Sequence, residues 1–60
     1  MLLTEKGAAA HLGCSVGLLR KWRLLGGGPA YCRLGRLVRY SEVDLQAFIE
    51  SNRVVPEEVR

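Results

Sequence analysis

The sequence predicts a mainly α-helical domain that carries one small β-hairpin, and three observations support this fold class. Two helix-like stretches meet at Gly13, near the start of the chain. Two short runs of alternating polarity flank Gly35, and helical periodicity returns after Ser41. Sixty residues are enough for one small domain with a modest core, and the 48% hydrophobic content argues against intrinsic disorder.

Two short helices joined by a tight turn are predicted in the first part of the chain. Thr4 is a favourable N-cap for the first helix, and Gly13 can take the positive φ that ends it. Ser15 is the expected N-cap of a second helix at about residues 16–25, which stops at Gly26. Two capped helices around a glycine turn predict a helix-turn-helix.

The spacing of small and apolar residues refines this prediction. Ala9 lies where the two helices would cross, and Gly13, Leu19 and Trp22 follow it. This spacing is typical of a helix-turn-helix that binds DNA through its second helix. Leu19 and Trp22 are three residues apart and share one face of that helix, so we expect both in the core.

A β-hairpin is predicted at about residues 30–40, because apolar and polar side chains alternate on both sides of Gly35. We expect Arg36 at its tip and Arg33 and Arg39 on its outer face. Two strands alone are marginally stable, so the hairpin should pack on the helices as a wing.

A third helix is predicted after Ser41, an N-cap residue with Asp44 three positions later. Leu45, Phe48 and Ile49 follow at helical spacing and form an apolar face. The predicted fold is therefore a winged helix-turn-helix, with a helix-turn-helix, a two-stranded wing and a C-terminal helix.

The winged helix-turn-helix domain is expected to span residues 1–53, and residues 54–60 are expected to form a C-terminal tail that is frayed or docked on a partner. Residues 1–3 are apolar, and we expect them to pack under the first helix.

The charges are unevenly distributed along the chain. Residues 6–41 contain seven basic side chains and no acid, whereas residues 42–60 contain five acids and two basic side chains. A basic region of this kind predicts a face that binds a polyanion. On charge alone, a merely soluble basic domain is an equally good interpretation.

The candidate DNA contacts are the start of the second helix and the basic side chains of that helix and the wing. They are Ser15, Val16, Gly17, Leu18, Arg20, Lys21, Arg23, Arg33, Arg36 and Arg39. Phosphate contacts are expected to outnumber base contacts. Two alternatives stay open: Arg23 pairing with an acid of the third helix, and Arg39 serving as a cross-strand partner.

Neither a metal site nor a catalytic site is predicted. His11, Cys14 and Cys32 offer three ligands, whereas structural zinc sites use four, so we expect no cofactor. A reducing cytosol disfavours a disulfide, and the cysteines are expected to be small buried fillers. The sequence contains no Ser–His–acid set and no phosphate-binding glycine pattern, so an enzyme is not expected.

The chain resembles the small excisionase and AlpA-like DNA-binding proteins of the MerR-like winged-helix superfamily, over about fifty of its sixty residues. The matching residues are Leu3-Thr4-Glu5, Ala8-Ala9, Leu12-Gly13, Ser15, Leu19, Trp22-Arg23, Gly26-x-Gly28-Pro29, Leu34-Gly35-Arg36, Val38-Arg39-Tyr40, Asp44-Leu45 and Ala47-Phe48-Ile49.

The resemblance implies a second helix in the major groove and a wing on the neighbouring backbone or minor groove. It also implies an excision-directing factor or a transcription regulator, of the kind usually encoded by phages and integrated elements. One departure is Val16-Gly17-Leu18, where members of the family often carry polar residues. Hydrogen-bonded base readout is weakened there, while apolar contact with thymine methyl groups remains available.

Two functions are retained. The first is sequence-specific binding of double-stranded DNA, with an integrase or RNA polymerase as candidate partner. The second is a protein-interaction module on a helix-turn-helix scaffold. We expect a cytoplasmic, nucleoid-associated protein, because the chain shows neither a signal peptide nor an apolar run long enough for a membrane helix.

Several apolar side chains are left over once the core positions are assigned. They either complete the small core or allow head-to-tail self-association on DNA. They are Leu24, Leu25, Leu37, Val54 and Val55.

Overall fold

The computed structural model describes residues 1–57 and contains three helices and three strands. In chain order the elements are β1 (Leu2–Leu3), α1 (Glu5–Leu12), α2 (Val16–Leu24), β2 (Cys32–Leu34), β3 (Leu37–Ser41) and α3 (Glu42–Ser51). The predicted fold class, a mainly helical winged helix-turn-helix, is confirmed. Residues 54–57 are exposed and belong to no helix or strand, and residues 58–60 of the predicted tail lie outside the described part of the chain.

All three predicted N-caps are confirmed. The hydroxyls of Thr4, Ser15 and Ser41 each accept a hydrogen bond from the backbone N–H three residues later, at 3.1, 3.0 and 3.1 Å. Each bond satisfies one of the backbone donors that a helix start leaves unpaired. The starts of α1, α2 and α3 are therefore determined locally.

The turn of the helix-turn-helix is built on Gly13, as predicted. Gly13 has a φ of 71°, and its N–H and that of Cys14 donate to the Ala10 and Ala9 carbonyls at 3.2 and 2.9 Å. This pair of bonds is the Schellman arrangement that closes a helix C-terminus. Helix α2 ends at Leu24, one residue before the predicted end.

The N-terminal residues form a strand that the sequence analysis missed. Leu2 pairs with Ser41 and Leu3 with Tyr40, so the antiparallel sheet has the order β1-β3-β2 and three strands instead of two. Leu3 also packs against the core, as expected, but Met1 and Leu2 are exposed, so the predicted packing of the N-terminal residues is wrong for these two. Two residues are too few to show an alternating pattern, and their partners lie 37 or more positions away along the chain.

The register of the hairpin corrects one prediction. Arg33 pairs with Val38, and Cys32 pairs with Arg39. Directly paired residues of antiparallel strands project from the same face of a sheet. Arg33 therefore shares a face with Val38, while Arg39 lies on the opposite face, and the prediction of a common outer face is wrong.

The core lies where α1, α2, α3 and β3 meet. Its fully buried side chains include Leu19, Leu45 and Tyr40. Trp22, predicted as a core residue, is half-buried at the margin of this cluster, where its ring lies 5.3 Å from that of Phe48. The buried hydrophobic residues of this core cluster are Ala8, Ala9, Leu19, Val38, Tyr40 and Leu45.

The leftover apolar side chains do not complete the core, so that alternative is wrong. Leu24 and Leu25 are 84% and 75% exposed, and Val54 and Val55 are exposed to a similar extent. Leu37 is about half exposed. Within residues 1–57, no helix is long and apolar enough to span a membrane.

Candidate nucleic-acid interface

A cleft of about 630 Å³ lies between the first turn of α1, helix α2 and the hairpin. Six cationic side chains and one acidic side chain of the described residues line it. The acid is Glu5, and the cations are Lys6, Arg20, Arg23, Arg33, Arg36 and Arg39. This concentration of positive charge makes the cleft a focus of positive potential.

The predicted contact residues fall on two adjoining surfaces. Six of the ten line the cleft, namely Val16, Arg20, Arg23, Arg33, Arg36 and Arg39. The other four, which are Ser15, Gly17, Leu18 and Lys21, are exposed on α2 and its N-cap. The structure therefore brings the cationic part of the predicted site together and leaves the start of α2 beside it.

Glu5 binds two arginines of α2. Its Oε2 accepts from Nη1 of Arg23 at 2.5 Å, and its Oε1 accepts from Nη2 of Arg20 at 3.3 Å. The Nε–H of Arg20 also points to the carboxylate, at 3.4 Å. The alternative in which Arg23 pairs with an acid of the third helix is wrong, because its partner is on α1.

The two arginines differ in accessibility. The Arg23 side chain is 17% exposed, and its Nη1 also lies 3.4 Å from the hydroxyl of Tyr40. The Arg20 side chain is 60% exposed. Arg23 is therefore held inside the fold, whereas Arg20 presents most of its guanidinium at the mouth of the cleft.

These contacts shift two pKa values in the directions expected for an ion pair. Burial by itself raises the pKa of Glu5, but hydrogen bonds and charges from Arg23 and Arg20 outweigh it, so the pKa is lowered overall. The pKa of Arg23 is raised by its hydrogen bonds to Tyr40 and Glu5. Both side chains are therefore charged at neutral pH.

Residues 2–53 match the model of a family described as a helix-turn-helix domain. The chain belongs to this helix-turn-helix domain family. The family includes AlpA/excisionase-like proteins and is a DNA-binding family that is typically non-enzymatic. No curated protein matches the chain at a significant level. The protein is thus a DNA-binding helix-turn-helix protein.

Tyr31 contacts two arginines of the cleft, and the sequence analysis assigned it no role. Its ring lies 5.7 Å from the guanidinium of Arg23 and 5.9 Å from that of Arg33. The ring of Tyr40 is 5.9 Å away on the sheet. Cation–π contact with both arginines links α2 to the hairpin. No pattern along the chain indicates this role, because Arg23 reaches the ring from another element.

Glu5 and Lys6 are also site residues that the sequence analysis missed. In the sequence, Glu5 stands out only as a favourable charge at a helix N-terminus, which it also is. Sequence alone does not show that the first turn of α1 faces the hairpin. Only the pairing of α1 with α2 around Gly13 brings it to the cleft.

The hairpin cations take two different positions. Arg36 is exposed in the turn next to Gly35, as predicted. The Nη1 of Arg39 donates to the Val38 carbonyl at 2.9 Å, so the cross-strand pairing considered for Arg39 is not the contact observed.

The two cysteines and the histidine differ in exposure in the described structure. Cys14 and Cys32 are free thiols and are half-buried, and His11 is exposed on α1. In the described range 1–57, no three His, Cys, Asp or Glu side chains come together in a group suited to a metal ion.

Proposed function

We propose that this protein binds double-stranded DNA sequence-specifically, with α2 in the major groove and the hairpin on the adjacent backbone or minor groove. The observation that carries this proposal is the cationic cleft between α2 and the hairpin. A phosphodiester strand is a polyanion, so its charge is opposite to that of the cleft. Phosphate and sugar contacts make up half or more of protein–DNA hydrogen bonds.

The arrangement of acids supports the same orientation. In the part of the chain that the structure describes, α3 carries Glu42, Asp44 and Glu50, and the cleft contains Glu5 alone among acids. The protein therefore has a strongly basic cleft and an acidic third helix. Repulsion of the acidic helix from DNA favours a single docking orientation.

Base readout in this proposal depends on few groups. The Ser15 hydroxyl is used as a cap, and Gly17 has no side chain. Leu18 is 38% exposed, which suits contact with a thymine methyl group, and Lys21 is exposed one turn further along. A single protomer is therefore expected to bind with modest selectivity.

The test is the salt dependence of DNA affinity. Replacing Arg20, Lys21, Arg36 or Arg39 with Ala should weaken binding to all duplexes. Each phosphate that the variant no longer neutralises should flatten the plot of log K against log salt by about one unit. Arg53→Ala is the matched control, since Arg53 lies beyond α3 and outside the cleft. Unchanged slopes for all four variants would rule out the basic surface of α2 and the hairpin as the DNA surface.

We propose that copies of the protein associate with one another on DNA. Several short sites are then bound together, which compensates for the modest selectivity of a single protomer. The exposed apolar groups lie in three separate regions, so one region can dock on another region of the next copy and build an open array. We expect a monomer in solution that fills adjacent sites cooperatively, one helical turn (about 10 bp) apart.

A footprinting titration on sites of increasing length tests the array. The full chain should extend its footprint cooperatively, and a chain truncated after Arg53 should lose this behaviour, because Val54 and Val55 are removed. Independent filling of sites contradicts the array. A stable two-fold dimer in the ultracentrifuge without DNA also contradicts it.

A protein-interaction module is the second candidate function, and the exposure of Leu24 and Leu25 at the end of α2 favours it. Retention of the protein on heparin and random duplex, abolished by rising salt, supports DNA binding instead. Genomic footprinting then separates the two DNA-based roles. Occupancy of an attachment site beside an integrase gene indicates an excision-directing factor, and occupancy of a promoter indicates a regulator.

A further inference from the structure

The acidic residue in the cationic cleft is the feature that simple charge complementarity does not explain. Glu5 is a carboxylate in a cleft that is also lined by six cations, and its side chain is still 20% exposed. A negative charge beside a phosphate is repulsive, so an acid that had no other role would weaken DNA binding. Its contacts indicate what the role is.

Glu5 joins three elements through one partner. It lies in the first turn of α1, it binds Arg23 of α2, and the same Nη1 of Arg23 contacts the hydroxyl of Tyr40 on β3. The Arg23 guanidinium also lies over the ring of Tyr31, just before β2. The position of the hairpin relative to α2 therefore depends on a cation that Glu5 holds.

Glu5 also orients the more exposed arginine. Two N–H groups of Arg20, on Nε and Nη2, point to the carboxylate. A guanidinium has five N–H groups in a rigid plane, so about three remain for an anion. Because the side chain is held before DNA arrives, less rotamer entropy is lost when a phosphate binds.

We propose that Glu5 is a positioning residue, whose contacts with Arg20 and Arg23 strengthen phosphate binding in the cleft by more than its negative charge weakens it. This inference rests on the proposed function, because it concerns the same DNA-binding cleft. It gives Glu5 an effect opposite in sign to that of an acid near DNA that acts through charge alone.

The experiment compares Glu5→Gln with Glu50→Gln in the full chain, on a random-sequence duplex over a range of salt concentrations. Both variants remove one negative charge. Glu50 lies on α3, outside the cleft, and pairs only loosely with Arg53 at 4.0 Å. Glu5→Gln should weaken binding by about three- to tenfold, the effect expected for one net hydrogen bond. Glu50→Gln should leave affinity within about twofold, because salt screens a distant charge.

A double-mutant cycle identifies the residue through which Glu5 acts. In an Arg20→Gln background, replacing Glu5 should weaken binding less than in the wild type, because one of the two side chains it positions is gone. An equal effect in both backgrounds would overturn the assignment of Arg20 to this role.

Three results separate the inference from the proposed function. Tighter binding by Glu5→Gln, with a steeper salt slope, overturns the inference and leaves the DNA-binding cleft intact. Absence of salt-dependent binding by the wild type overturns both. If Glu5→Gln does not stay folded, NMR of the wild type decides. A nuclear Overhauser contact between the Arg20 Nε–H and the Glu5 Hγ protons should persist in the DNA complex, and its loss on binding shows that Arg20 leaves Glu5.

Discussion

Gly17 lies in the first turn of α2, where the structure leaves room for a side chain. A Cβ placed on it would meet only the Ser15 hydroxyl, at 3.9 Å. Glycine is a poor helix former, so Gly17→Ala should stabilise the protein by about 0.5–1 kcal/mol. The expected rise in Tm is about 3–8 °C for a domain of this size, measured by circular dichroism. A lower Tm would show that the first turn of α2 needs glycine for a structural reason.

The lowered pKa of Glu5 predicts how the stability of the folded protein changes at acidic pH. Its pKa is lowered in the folded protein from the ordinary value of 4.5, despite burial, because Arg23 and Arg20 stabilise the carboxylate. Its ion pairs therefore contribute to stability above the unfolded-state pKa, and this contribution disappears as the pH falls through the folded-state pKa. The Tm difference between wild type and Glu5→Gln should be largest near neutral pH and shrink below 4.5. A difference that stays constant down to acidic pH would contradict this linkage.

At the scale of elements, the loop from α2 to β2 is fitted to the end of α2. Gly28 has a φ of +85°, and a Cβ there would lie 2.8 Å from Cβ of Trp22. Gly28→Ala should therefore cost about 2–4 kcal/mol, combining left-handed strain with overpacking. Gly26→Ala is the matched control, because Gly26 has a φ of +79° and open space around it. It should cost only about 1–2 kcal/mol in denaturant unfolding. Equal destabilisation would mean that contact with Trp22 is unimportant.

The whole molecule is held by a very small core. Leu19 has no exposed surface, so Leu19→Ala should cost roughly 2–5 kcal/mol. A domain of this size has little more than that in total, and the variant should be unfolded at moderate temperature. Leu24→Ala makes the same chemical change at a side chain that is 84% exposed, and its melting curve should match the wild type. A Leu19→Ala melt within a few degrees of wild type would contradict the assignment of Leu19 to the core.

Whether a feature could be predicted from the sequence depended on how far apart along the chain its interacting residues lie. The N-caps at Thr4, Ser15 and Ser41 and the turn at Gly13 were predicted correctly, because each depends on bonds within a few residues. The candidate cations of α2 and the wing were also found in one cleft, apart from Lys21.

The sequence by itself therefore determined the order of the helices and the hairpin, their caps and the basic character of one side of the protein, because local hydrogen bonding, periodicity and composition encode these directly. Tertiary structure alone decided the pairing of β1 with β3 and the contacts of Glu5 with Arg20 and Arg23. The residues of the two ion pairs are 15 and 18 positions apart in the sequence, and the paired residues of the strands are further apart. Their geometry exists only once α1, α2 and the sheet have packed around the core, and no pattern along the chain records it.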